Sequence, residues 1–152
     1  MENAVTIKNG VLAVLAAAGS VLAKQLGGWD AALKVLVGFM AADYITGLLV
    51  AAVWHKSSKT ESGTLESGAS FKGLLKKAVI LMIVWMGALL DSVTTGTTVV
   101  RTAVCLFFIA NEGLSILENT ALMGVPYPAR VKDMLEAMKT KADTENTADK
   151  NS

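Results

Sequence analysis

The sequence predicts an all-α integral membrane protein of three to four transmembrane helices, with a short amphipathic helix after the last. Two observations carry that expectation. The chain has 152 residues, of which 53% are hydrophobic and only 18% charged, against roughly 25% charged in soluble domains. The charges are also unevenly placed: 20 of the 27 lie in residues 1–8, 55–77 and 118–152, which leaves 7 for the 86 residues 9–54 and 78–117. A soluble globule needs charge on every exposed face, so this pattern excludes an ordinary cytosolic enzyme and leaves apolar spans around one polar loop.

Each element has its own justification. The first apolar segment, Asn9 to Ala23, offers 15 residues between Lys8 and Lys24. It either spans with help from Leu26 and its neighbours, lies at the interface, or acts as a signal peptide with Ala16 and Ala18 near a cleavage site. The balance of Glu2 against Lys8 speaks against the last, because signal peptides lead with positive charge. The clearest span lies between Lys34 and His55, where 20 residues match a hydrocarbon core of about 30 Å at about 1.5 Å per residue. It carries Asp43, whose mid-membrane cost of about 2.5 to 3.5 kcal/mol is offset by its Val, Leu, Ile and Phe residues.

Between Lys77 and Arg101 lie 23 residues interrupted by Asp91. This helix begins near Phe71, with Lys72, Lys76 and Lys77 snorkelling to the headgroups, or at Ala78. The first register is preferred, because Thr94 to Thr98, centred on Gly96, suits a short hairpin turn. Thr102 to Met123 forms the last apolar segment, and Gly124, Pro126 and Pro128 stop it. The expected organisation is a transmembrane domain over residues 1–128, with spans near 9–27, 35–54, 72–93 and 102–123. A cytoplasmic amphipathic helix over 129–142 and a disordered tail over 143–152 follow. Val131, Met134, Leu135 and Met138 give the amphipathic helix its apolar stripe, and Thr60 to Ser70 is a flexible connector rich in Gly and Ser.

Four spans place the termini and the 55–77 loop on one side, with 11 of the 14 Lys and Arg, so the positive-inside rule makes that side cytoplasmic. Three spans move only Lys8 and keep the loop and tail inside. Charge alone does not separate the two topologies.

The polar residues inside the spans are the candidate functional groups. On the last span Asn111, Ser115, Glu118 and Asn119, with Glu112 beside the first, recur at helical spacing as a stripe of about two turns. On the second span Asp43, Thr46, Gly47 and Val50 share a face. Such faces must meet helices, other copies or water, because unpaired polar groups in hydrocarbon each cost several kcal/mol. Ser115, Thr46 and Gly47 are equally suited to bind neighbouring helices together. The acids Asp43, Asp91 and Glu112 point more strongly to assembly or a pore, since intramembrane acids are functional by default.

Other chemistry is poorly supported. A net charge of +1 gives no footprint for nucleic acid,. Cys105 is solitary and apolar in context, His55 is solitary at the loop, and no nucleophile motif, phosphate loop or ligand-spaced cluster is present. No catalytic residue, metal or cofactor is expected.

Residues 40–47 (MAADYITG), 70–77 (SFKGLLKK) and above all 107–128 (FFIANEGLSILENTALMGVPYP) resemble the phage holin family of Gram-positive hosts, which includes toxin-secretion holins. The resemblance runs from about Leu33 to Leu135 and is most specific at the pair Asn111 and Glu112, then Ser115, then Glu118 and Asn119, then Gly124 and Pro126. It implies a homo-oligomer in the host cytoplasmic membrane, whose lesions release an endolysin without binding it, or export a large protein, and collapse the membrane potential. Its partners are further copies of itself and the bilayer. The competing readings are a small proton-coupled transporter or ion channel using Glu112 or Asp43, and a membrane adaptor without a pore.

Overall fold

The computed structural model describes residues 2–57, 59, 62–94, 96–134, 136 and 137, residues 2–4 by their backbone alone. Four helices are each long and apolar enough to cross a membrane. They are α1 (Glu2–Gln25), α2 (Ala31–Leu49), α3 (Ser67–Thr94) and α4 (Val99–Leu122), and the π-helical turn Val50–Trp54 prolongs α2. A short helical stretch follows over 129–134 and resumes at 136–137. No strand occurs among the described residues, so the fold is all-α, as the composition implies.

Helix boundaries follow from local chemistry. Asp30 caps α2, its carboxylate accepting from the Leu33 N–H at 2.9 Å, which satisfies one of the orphan donors of the first turn. The π-helical end closes at His55, in the left-handed region at φ 50. Between α3 and α4 the chain reverses at Gly96, where φ is 65 and the N–H donates to the Asp91 carbonyl. Glycine takes that conformation without a Cβ penalty, and the expected hairpin turn is there. α3 starts at Ser67, earlier than either expected register, and takes Ser67 to Ser70 out of the connector. Glu66 prepares that start, accepting from Ser62 Oγ at 2.8 Å and, through its carbonyl, from Ser70 N–H at 3.0 Å.

α4 packs against both α2 and α3. Rows of buried positions recur at three- and four-residue steps: Leu33, Leu36, Met40 and Asp43 on α2; Lys77, Ile80, Val84, Gly87 and Asp91 on α3; Arg101, Cys105, Ile109 and Glu112 on α4, where Ala110, Gly113 and Asn119 are buried as well. That spacing is the seam of helices packed side by side. Leu33, Leu36, Met40, Ile80, Val84, Cys105 and Ile109 form its apolar core, and polar residues occupy its two ends. α1 stands apart, with no part of its apolar span buried; Val11, Leu15 and Leu22 are all more than half exposed. The apolar stripe after Pro128 is exposed at Val131 and Met134, while Leu135, Met138 and the expected tail 143–152 lie outside the described residues.

Candidate functional site

The inner site is a buried charge network. α2 brings Asp43, α3 Lys77 and α4 Glu112 to one level of the seam, and each is buried. Lys77 Nζ donates to Asp43 Oδ2 at 2.8 Å and also to Glu112 Oε2. Asn119, one turn pair beyond Glu112, donates to Asp43 Oδ1 at 3.2 Å and to Thr46 Oγ1 at 3.0 Å, and Thr46 donates to the Asp43 carbonyl at 3.1 Å. Two carboxylates facing one buried ammonium leave an excess negative charge. Lys59, from the loop, approaches Asp43 to 4.0 Å and offsets it in part. Gly47 flanks this approach: a Cβ there would lie in ordinary van der Waals contact, 3.5 Å from Lys59 Nζ and 3.7 Å from Asn119 Nδ2. By helical rise, Asp43 and Glu112 lie about 18 to 20 Å from the α3–α4 turn end and Lys77 about 25 Å, and the Lys77 ammonium turns into the seam towards the two acids rather than outwards as snorkelling requires.

The outer site closes the opposite end. Asp91 accepts from the N–H groups of Val100 and Arg101, each at 2.9 Å, so α3 supplies the cap that Thr98 does not make for α4,. The Arg101 side chain is fully buried and donates to Asp30 Oδ2 at 2.6 Å, to the Gly28 carbonyl at 2.9 Å and to the Leu26 carbonyl. This ties the α1–α2 link to the head of α4. The Asp30 carboxyl, outside the spans, is held below its ordinary range, first by its hydrogen bond with Arg101.

Beside the inner site, an open groove of about 910 Å³ runs between α3 and α4. Asp43, Lys77, Asn111, Glu112 and Ser115 contribute to its wall, with Lys59, Lys72 and Lys76 nearer the loop.

The sequence-identified residues therefore divide. Asp43, Thr46, Glu112 and Asn119 meet in one network, Gly47 flanks it, and Asn111 and Ser115 face the groove. Glu118 is exposed and outside it, and Asp91 sits at the other end as the α4 cap. Lys77 and Arg101 were not among the candidates, although Lys77 joins the two acids and Arg101 organises the outer end. The signal for Lys77 was its register with Ile80, Val84, Gly87 and Asp91, which is a buried seam rather than a lysine pointing to headgroups. Every buried polar side-chain atom among the described residues has a partner, so a single chain forms a closed, satisfied unit. No group of residues suited to a metal ion occurs among the described residues.

The chain matches the bacteriophage holin family over residues 20–140. It is 35% identical to an uncharacterised 14.9 kDa protein in the nagH 3' region of Clostridium perfringens over 143 residues, 93% of this chain and 99% of that protein. An uncharacterised protein of Listeria innocua is 37% identical over 133 residues, 87% of this chain and 89% of its own. A probable holin of Bacillus phage phi105 is 33% identical over 107 residues, 70% of this chain and 73% of its own. No solved structure matches the chain. The family match takes in α2, α3, α4 and both charged sites, and this multi-pass membrane protein belongs to the bacteriophage holin family.

Proposed function

We propose that the chain is a non-enzymatic holin that accumulates in the host cytoplasmic membrane, with its loop and C-terminus in the cytoplasm, and assembles there into lesions that pass an endolysin and collapse the membrane potential. The observation that carries this reading is the buried Asp43–Lys77–Glu112 network at the inner end of the apolar seam. A network satisfied within one chain lets copies accumulate without exposing charge to lipid. Its groups are also those that gain most from water once neighbouring copies separate the helices, because buried ions lose much hydration. Assembly then exchanges intrachain partners for a wet lumen, and the uncovered α1 offers apolar surface to lipid or to further copies. The cargo needs no binding site, only an opening.

Inducible expression in bacteria, with and without a cytoplasmic cell-wall hydrolase, tests the reading. The expected result is growth arrest at a sharp time in both cultures and lysis only where the hydrolase is present. A graded, ion-dependent effect with the hydrolase retained would instead identify a transporter or channel, and an inert protein in the membrane would identify an adaptor.

A further inference from the structure

The groove between α3 and α4 has the polarity of a lipid site. Along α3 its wall runs from Ala69 to Ile83, a length of about 21 Å at the helical rise. Lys72 and Lys76, one turn apart and both exposed, sit toward the loop end of that wall. Neither has an ion-pair partner among the described residues. Beyond them Leu75, Val79, Ile83 and, across the groove, Phe108 make the wall apolar. From the lysines to Ile83 is about 10 to 16 Å along the helix, comparable to one leaflet of a hydrocarbon core about 30 Å thick. The floor adds little net charge of its own, since Lys77 and Lys59 lie against Asp43 and Glu112. These two lysines, without an ion-pair partner among the described residues, therefore set the sign of the rim. The volume, about 910 Å³, falls within the range of about 300 to 1,000 Å³ typical of ligand pockets.

We propose that this groove holds one anionic glycerophospholipid of the leaflet on the loop side, its phosphate on Lys72 and Lys76 and one acyl chain along Val79, Ile83 and Phe108. A basic pocket between spans, opening sideways to the bilayer, recognises such a headgroup by charge and the chain by apolar contact. The bound lipid covers the outer edge of the Asp43–Lys77–Glu112 network and screens it from water in the unassembled chain. The site requires only that the chain lies in a bilayer and does not depend on lesion formation.

The test uses the full chain in lipid nanodiscs containing phosphatidylcholine with a minor fraction of photoactivatable phosphatidylglycerol. Labelling is mapped by mass spectrometry and competed with unlabelled phosphatidylglycerol, phosphatidylcholine or inorganic phosphate. Labelling is expected on α3 and α4 along the groove, displaced by phosphatidylglycerol and by neither competitor. Lys72→Gln or Lys76→Gln should weaken retention roughly fivefold each, and the double variant about 30-fold, the equivalent of about 1 kcal/mol per lysine near an anionic surface. Lys132→Gln, a charge change outside the groove, should leave it unaltered. Val79→Trp, which fills the apolar part and keeps both lysines, should reduce labelling while circular dichroism shows unchanged helix content. Displacement by phosphatidylcholine or by inorganic phosphate, or unchanged retention in the double lysine variant, would overturn the proposal. So would a change in oligomeric state in the double variant with lipid retention intact, which would mark the groove as a contact between copies.

Discussion

Lys77 is the residue on which the inner site turns. It holds Asp43 and Glu112 together, so removing it leaves two buried carboxylates without their cation, whereas removing one acid leaves a balanced pair. Lys77→Met should therefore destabilise the folded chain by about 3 to 5 kcal/mol, the usual result of breaking a buried pair from one side. Glu112→Gln should cost clearly less. Thermal unfolding in detergent measures both, and equal losses would contradict the shared-cation geometry. Glu112→Leu should leave insertion intact and abolish lesion formation, checked by membrane fractionation beside a lysis assay. The two acids were legible in the sequence because charge inside a 20-residue apolar run is conspicuous. Lys77 was not, because it follows Lys76 at the edge of a run and its depth depends on where α3 begins. That start lies at Ser67, set by Glu66 contacts that no apolar period announces.

At the scale of helices, α3 and α4 touch at Gly87. A Cβ there would lie 3.1 Å from Arg101 Cα and 3.3 Å from its N, so even alanine pushes the backbones apart. Gly87→Ala should destabilise by about 1 to 3 kcal/mol through overpacking. Gly38→Ala on α2, with nothing within 4 Å, should be neutral or stabilising by up to about 1 kcal/mol through helix propensity. Melting temperatures moving in opposite directions would support this contact, and a stabilising Gly87→Ala would exclude it. The Asp30–Arg101 clasp has a pH signature. Because the folded Asp30 carboxyl titrates below its ordinary value, its contribution is present above about pH 4 and is lost as pH falls through the lower, folded value. Melting followed from pH 7 to pH 3 should show a loss at the acid end that Asp30→Asn reduces. Apolar length and composition made the spans legible in the sequence, as did the turn at Gly96. Arg101 was read only as a charge outside the membrane, since neither its burial nor the use of Asp91 as a cap on another helix leaves a local pattern.

For the whole molecule, the closed seam of α2, α3 and α4 and the uncovered α1 describe one compact state, and the proposed function requires a second, opened by neighbouring copies. A charge crossing the full membrane potential changes energy by about 2.3 kcal/mol per 100 mV. If opening moves Asp43 or Glu112 through part of that field, an energised membrane biases the chain toward its closed state. The polar stripe on α4 suggested a lumen from sequence. In one chain most of that stripe instead faces the other helices or the groove, so a lumen needs rearrangement and not merely association. The most direct measurement follows a cytoplasmic fluorescent protein together with a potential-sensitive dye in cells expressing this chain alone. An uncoupler is added before the spontaneous collapse. The account predicts abrupt, simultaneous loss of potential and of the fluorescent protein, brought forward by the uncoupler in the wild-type chain and much less in the Asp43→Asn/Glu112→Gln variant. Retention of the fluorescent protein at full expression, with potential declining gradually and no response to the uncoupler, would contradict it.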